Sequence, residues 1–183
     1  MAKKVAIALD NGFEEIEFSA ILDVLRRAEL DVSIVCLNER QKIGAHGMTI
    51  IGDTVLSEVK DQTFDAVVLP GGLPGAQHLA ESKELKAFIK RHADEGKITA
   101  AICAGPWALA EAGVLDGKTA TCYPGFEDKI AVANHSETRV VIDGNIITSR
   151  GPGTAIEFAL KLVEHLVDAE TADALHEGML VKS

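Results

Sequence analysis

Short apolar runs, each closed by turn residues and with helical patterns between them, recur along this chain and narrow its fold more than any other feature. Val5 to Leu9 is stopped by Asp10-Asn11-Gly12, Phe13 to Ala28 reads as a helix, and Val32 to Leu37 reads as a second strand. Gly44 to Val55 alternates apolar residues between glycines, as a small hairpin or ribbon does. Ala66 to Leu69 is another buried strand, ended by Pro70-Gly71-Gly72, and a helix over Ser82 to Asp94 ends at Gly96. A strand reaches Cys103, a helix covers Pro106 to Ala112, and a strand covers Thr119 to Tyr123. Arg139 to Asp143 and Asn145 to Ser149 flank Gly144 as a hairpin. A long helix runs from Thr154 to about Val167, and a shorter one follows Asp168. Strands alternating with helices predict a mostly parallel sheet covered on both faces, in one domain spanning residues 1–183. Ligands of such sheets bind at the carboxyl ends of the strands. Asp10-Asn-Gly12, Pro70-Gly-Gly72 and Cys103 all fall there.

Composition excludes several classes of function. Aromatic residues make up 4% of the chain and its net charge is −10, which opposes phosphate backbones and anionic lipid, so no nucleic-acid or membrane partner is expected. Five apolar residues after Lys3-Lys4 are too few for a signal-peptide core, and no run approaches a membrane span. Cys36, Cys103 and Cys122 form no CxxC pair and are odd in number, which fits a reducing, cytoplasmic compartment. The six histidines have no metal-ligand spacing, so neither metal nor cofactor is expected.

Three features could carry chemistry. In Lys97-Ile-Thr-Ala-Ala-Ile-Cys103-Ala-Gly-Pro-Trp a strand runs straight into a helix. Such an elbow aims its apex side chain at a helix N-terminus, where unpaired N–H groups favour an anion, so Cys103 suits a thiol of lowered pKa. Small neighbours permit the tight backbone. Packing of a buried cysteine explains the same spacing. Glu17 falls on the helical arc of Phe18, Ile21, Val24, Leu25 and Ala28, whereas Glu15, Asp23, Arg26 and Arg27 lie on the polar side. Either Glu17 is a desolvated carboxyl able to donate a hydrogen bond, or it snorkels outward at the first helical turn. The glycines of Pro70-Gly71-Gly72 either present backbone N–H groups to an oxyanion or simply turn the chain. Gly151-Pro-Gly153 reads as a turn, Cys36 and Cys122 as structural, Trp107 as packing, and His46, His78, His92, His165 and His176 as surface or loop residues.

Leu69-Pro-Gly-Gly72, Ala100-Ala-Ile-Cys-Ala-Gly-Pro106, Thr148-Ser-Arg-Gly-Pro-Gly-Thr154 and Asn11-Gly-Phe-Glu-Glu-Ile-Glu17 together resemble the ThiJ/PfpI superfamily. The likeness extends over essentially the whole chain, and it is nearest to the branch of the Parkinson-disease-associated protein deglycase. It implies a flavodoxin-like three-layer sandwich, related to class I glutamine amidotransferase domains, and a homodimer. It also implies that Cys103 is the nucleophile, that Glu17 contacts its sulfur, and that Gly72 and Ala104 supply backbone N–H groups near the reacting oxygen. Two positions depart from the pattern. The peptidase branch carries histidine directly after the nucleophile, where this chain has Ala104, which counts against proteolysis. The deglycase branch often has a histidine near the end of the next strand, where this chain has Tyr123, a donor but a poor base at neutral pH. His135 or Glu127 could enter the site instead.

The resemblance implies an enzyme acting on reactive dicarbonyls, such as methylglyoxal, or on their protein adducts. A competing class is a redox-sensing or protective protein whose Cys103 is oxidised to a sulfinate. A chaperone is a third class, for which the chain has no long disordered or apolar segment.

Overall fold

Along β1 (Lys4–Leu9), Val5, Ile7 and Leu9 point to one side of the sheet and Ala6 and Ala8 to the other, all buried, because strand side chains alternate. A strand buried on both faces needs cover on both, and the computed structural model, which describes residues 2–182, supplies it. A seven-stranded sheet forms the middle layer in the order β10-β11-β7-β6-β1-β2-β5. Its strands are β2 (Asp31–Cys36), β5 (Thr54–Val55), β6 (Ala66–Leu69), β7 (Ile98–Ile102), β10 (Val140–Asp143) and β11 (Ile146–Ser149), besides β1. Every pairing is parallel except the hairpin of β10 with β11.

One face is covered by α1 (Glu15–Arg27) and α6 (Ala155–Leu166), with α7 (Ala169–Gly178) packed on α6. Phe18, Ile21, Leu25, Phe158 and Leu162 join β1 in that core. On the other face lie α2 (Leu56–Val59), α3 (Gly75–Glu81), α4 (Lys83–Asp94) and α5 (Pro106–Glu111). Each large side chain so buried contributes about 1.5–3 kcal/mol by leaving water. The fold is the expected α/β sandwich.

Several local expectations are corrected. The ribbon expected within Gly44 to Val55 begins earlier: β3 (Gln41–Ile43) pairs with β4 (Thr49–Ile51), and Thr54–Val55 joins the main sheet beside β2. The strand expected from Thr119 to Tyr123 shrinks to β8 (Thr119–Ala120), which pairs with β9 (Asn134–His135) outside the main sheet. His92 is not a surface residue. It lies fully buried on the arc of Leu85, Phe88 and Ile89, with Nε2 accepting from Phe64 N (3.0 Å) and Nδ1 donating to Phe88 O (2.7 Å). Burial first, and neighbouring Arg91 and Lys97, hold its pKa below the ordinary value, although the bond to Phe88 opposes this. No described helix is long and apolar enough to cross a membrane.

Candidate active site

Small residues bring β7 to its end, and the chain then turns within one residue. Cys103 has φ of +64°, a left-handed conformation that costs a side-chain-bearing residue about 1–3 kcal/mol. Surrounding bonds hold it there: Cys103 N donates to Ser149 O (3.0 Å), and Tyr123 N donates to Cys103 O (2.9 Å). Gly105 N closes the turn onto Ile102 O (2.9 Å), and α5 starts at Pro106.

The loop after β6 lies against this elbow. A Cβ at Gly71 would stand 2.6 Å from Cys103 Cβ and 3.0 Å from its Sγ, so only glycine permits the approach. Gly72 has φ of +88° and sits on the backbone of Gly12 to Glu14. The N–H groups of Ala104 and Gly72 both act on the Cys103 sulfur, so the structure brings these three predicted residues together.

Glu17 completes the group. It is fully buried on the inner face of α1; the outward, snorkelling alternative does not occur. Its Oε2 accepts from Gly71 N at 2.7 Å, while Oε1 has no hydrogen-bond partner among the protein groups. Burial raises its pKa to about 7 and Glu14 adds to the rise, against the Gly71 N–H and the Cys103 thiol.

The expected lowering of the Cys103 pKa is corrected. While Glu17 is ionised, burial and then its carboxylate push the thiol above its ordinary range, more strongly than the Ala104 and Gly72 N–H groups pull it back; a proton on Glu17 removes that repulsion. Two anions cannot share this poorly solvated place, so the pair retains one proton between sulfur and carboxyl. Cys36 and Cys122, also buried, are each raised to about 11, chiefly by burial, which fits inert structural thiols.

Tyr123 is joined to Cys103 through its backbone, but its half-exposed ring packs over Gly151. Glu127 and His135 are at the surface, and neither is among the groups acting on the thiol. Glu15, assigned to the polar side from its helical position, is in fact buried. Its carboxylate accepts from His46 N (2.6 Å) and faces His46 Nδ1 (2.8 Å). Burial opposes the charge, yet these bonds hold the Glu15 pKa below its ordinary value and raise that of His46. Glu14, Glu15 and His46 are the one group among the described residues whose ligating atoms lie within 4.8 Å of each other, but Glu15 already spends its oxygens on this latch. Spacing could not reveal the latch, since its halves are a helix start and a hairpin turn. Gly71, whose N–H holds Glu17, was readable only as part of a Gly-Gly turn.

Comparison with known proteins places this geometry. The family model described as DJ-1/PfpI matches residues 3–165. Protein DJ-1 homolog A of Arabidopsis thaliana is 43% identical over 98% of this chain, which spans about half of that longer protein, 47% of its length. The glutathione-independent glyoxalase DJR-1.2 of Caenorhabditis elegans is 38% identical, with 95% of each chain covered. The crystal structure of Drosophila melanogaster DJ-1beta superposes over all of both chains with a TM-score of 0.94 at 41% identity. Such agreement in sequence over nearly the full length, and in the placement of the backbone, makes this chain a member of the DJ-1/PfpI family.

Proposed function

We propose that the protein is a cofactor-independent glyoxalase, or a deglycase acting on the corresponding protein adducts, with Cys103 as nucleophile. The observation that carries this reading is the buried Cys103–Glu17 pair beside the N–H groups of Gly72 and Ala104. With the pair's proton on Glu17, the sulfur adds to the aldehyde carbon of methylglyoxal, and the carbonyl oxygen takes a proton to give a hemithioacetal. The backbone N–H groups stabilise charge on that oxygen. Glu17, left as a carboxylate once its proton has gone to that oxygen, then carries the proton from the former aldehyde carbon to the neighbouring ketone carbon, while the hemithioacetal hydroxyl proton passes to the ketone oxygen, leaving a thioester and a new hydroxyl. Water cleaves the thioester to lactate and frees the thiol. One carbon is oxidised and its neighbour reduced, so the sequence balances without an external redox partner. The Caenorhabditis elegans relative named a glutathione-independent glyoxalase supports the substrate class.

A second reading, a redox sensor, is favoured by the unpartnered Glu17 Oε1, which could donate to an oxidised sulfur. There one peroxide converts thiolate to sulfenate with loss of water, and a second gives the sulfinate. Turnover of methylglyoxal to lactate without added cofactor separates the two. Wild-type turnover that falls at least about a hundredfold in Cys103→Ser supports the enzyme. Stoichiometric sulfinate formation without turnover supports the sensor.

A further inference from the structure

At the carboxyl end of β1 the chain buries a second set of charges, which the proposed chemistry does not use. Asp10 forms an ion pair with Lys42, and both side chains are at least nine-tenths buried. His78 Nδ1 stands 2.9 Å from the other oxygen of the Asp10 carboxylate, on the solvent side. Taking two charges out of water costs several kcal/mol per ion, and an apolar pair of similar volume often holds a fold as well. Stability alone therefore does not account for the pair, and its position suggests another use.

Asp10 follows β1, Lys42 is the central residue of β3, and His78 lies on α3, so side chains from three segments distant in sequence meet at one carboxylate, the His78 contact without hydrogen-bond geometry. The turn after Asp10 is stitched to the strand of Lys42: Ile43 N donates to Asn11 Oδ1 (2.9 Å), and Gly12 N donates to Ile43 O (2.7 Å). The same turn abuts the start of α3, since a Cβ at Gly12 would stand 2.7 Å from Leu73 C. Glu14 N donates to Gly71 O (2.9 Å), and Ala76 N donates to Gly72 O (2.9 Å). The loop of Gly71 and Gly72 is thus held on one side by the turn that begins at Asp10 and on the other by the helix that carries His78.

We infer that the Lys42–Asp10–His78 cluster is a clamp that positions the Gly71–Gly72 loop against Cys103 and Glu17. Asp10, Lys42 and His78 are positioning residues for the proposed reaction, on which the inference rests for its catalytic meaning. The N–H groups of this loop act on the sulfur and on the carboxyl whatever the substrate, so the clamp has a readout of its own.

The test is site-resolved alkylation of Cys103 by iodoacetamide across pH in the double variant Asp10→Asn/Lys42→Met, which removes both charges and nearly keeps the volume. A loosened loop withdraws the Gly72 N–H, which stabilises the thiolate directly, so the midpoint rises by about half a pH unit or more. Methylglyoxal kcat falls about tenfold while KM stays within about twofold. A folded double variant with the wild-type alkylation profile overturns the clamp. If the double variant does not fold, His78→Leu decides, because that side chain is 39% exposed and tolerates replacement. A smaller upward shift then supports the clamp, and an unchanged profile overturns it. If the wild type fails to turn over methylglyoxal, the functional reading falls while the alkylation arm still decides the clamp.

Discussion

Glu17 is the most expensive residue in the site. A carboxyl buried away from solvent resists ionisation, and its pKa of about 7 expresses that resistance. In the unfolded chain the same group ionises near 4.5. Between these values the unfolded state has released a proton that the native state keeps, so stability falls as pH rises through the window. The contribution is fully present below about 4.5 and lost above about 7. A shift of this size corresponds to roughly 3 kcal/mol. Glu17→Gln keeps the shape and an acceptor for Gly71 N without a titrating group. Urea denaturation at about pH 5 and about pH 8 should therefore show wild type losing roughly 2–3 kcal/mol more than the variant on the way up. Parallel losses would place Glu17 in a wetter site than its burial indicates.

At the scale of elements, the strands buried on both faces were the legible part, because an unbroken apolar run such as Val5 to Leu9 has few other uses. The elbow was legible too, since small residues on either side of Cys103 have no better explanation than a tight turn. α3 was hidden because its start follows Pro70-Gly-Gly-Leu-Pro74, which reads as loop, and only seven residues of helix follow. β8 was over-extended because Thr121 and Cys122 are buried by packing rather than by pairing: Thr121 N donates to the Thr148 side chain, not to a strand neighbour. His92, seven residues after Leu85, lies on its helix's apolar arc and was legible there, whereas Glu15 and Lys42 escaped for a shared reason. Each is polar by type and buried by a partner from a distant segment, and a single sequence does not display such pairings. Glu17 was legible because its helix alone places it among apolar neighbours. Its partner Gly71 and the upward shift of Cys103 required the packed structure.

For the molecule as a whole, a homodimer is the expected assembly. A groove of about 860 Å³ lies across α1, α6 and α7, lined by Ile16, Ala20, Ile156 and Leu160 among others but not by Cys103. Ile16 is 60% exposed and Ile156 44%, an apolar surface that a second copy could cover. Light scattering at tens of micromolar should give twice the chain mass of 19.4 kDa, and Ile16→Asp should shift it toward one chain. A wild-type mass of 19.4 kDa would reject the dimer.

The proton shared between sulfur and carboxyl is the centre of the mechanism, and site-resolved alkylation of Cys103 against pH in wild type, Glu17→Gln and Glu17→Leu tests it most directly. If the proton stays on Glu17 when the sulfur ionises, Glu17→Gln keeps a donor and titrates near wild type. Glu17→Leu removes the donor, and its midpoint rises by about one unit. A Glu17→Leu midpoint at or below that of wild type would mean that the carboxylate only repels the thiolate, and the shared-proton nucleophile would be wrong.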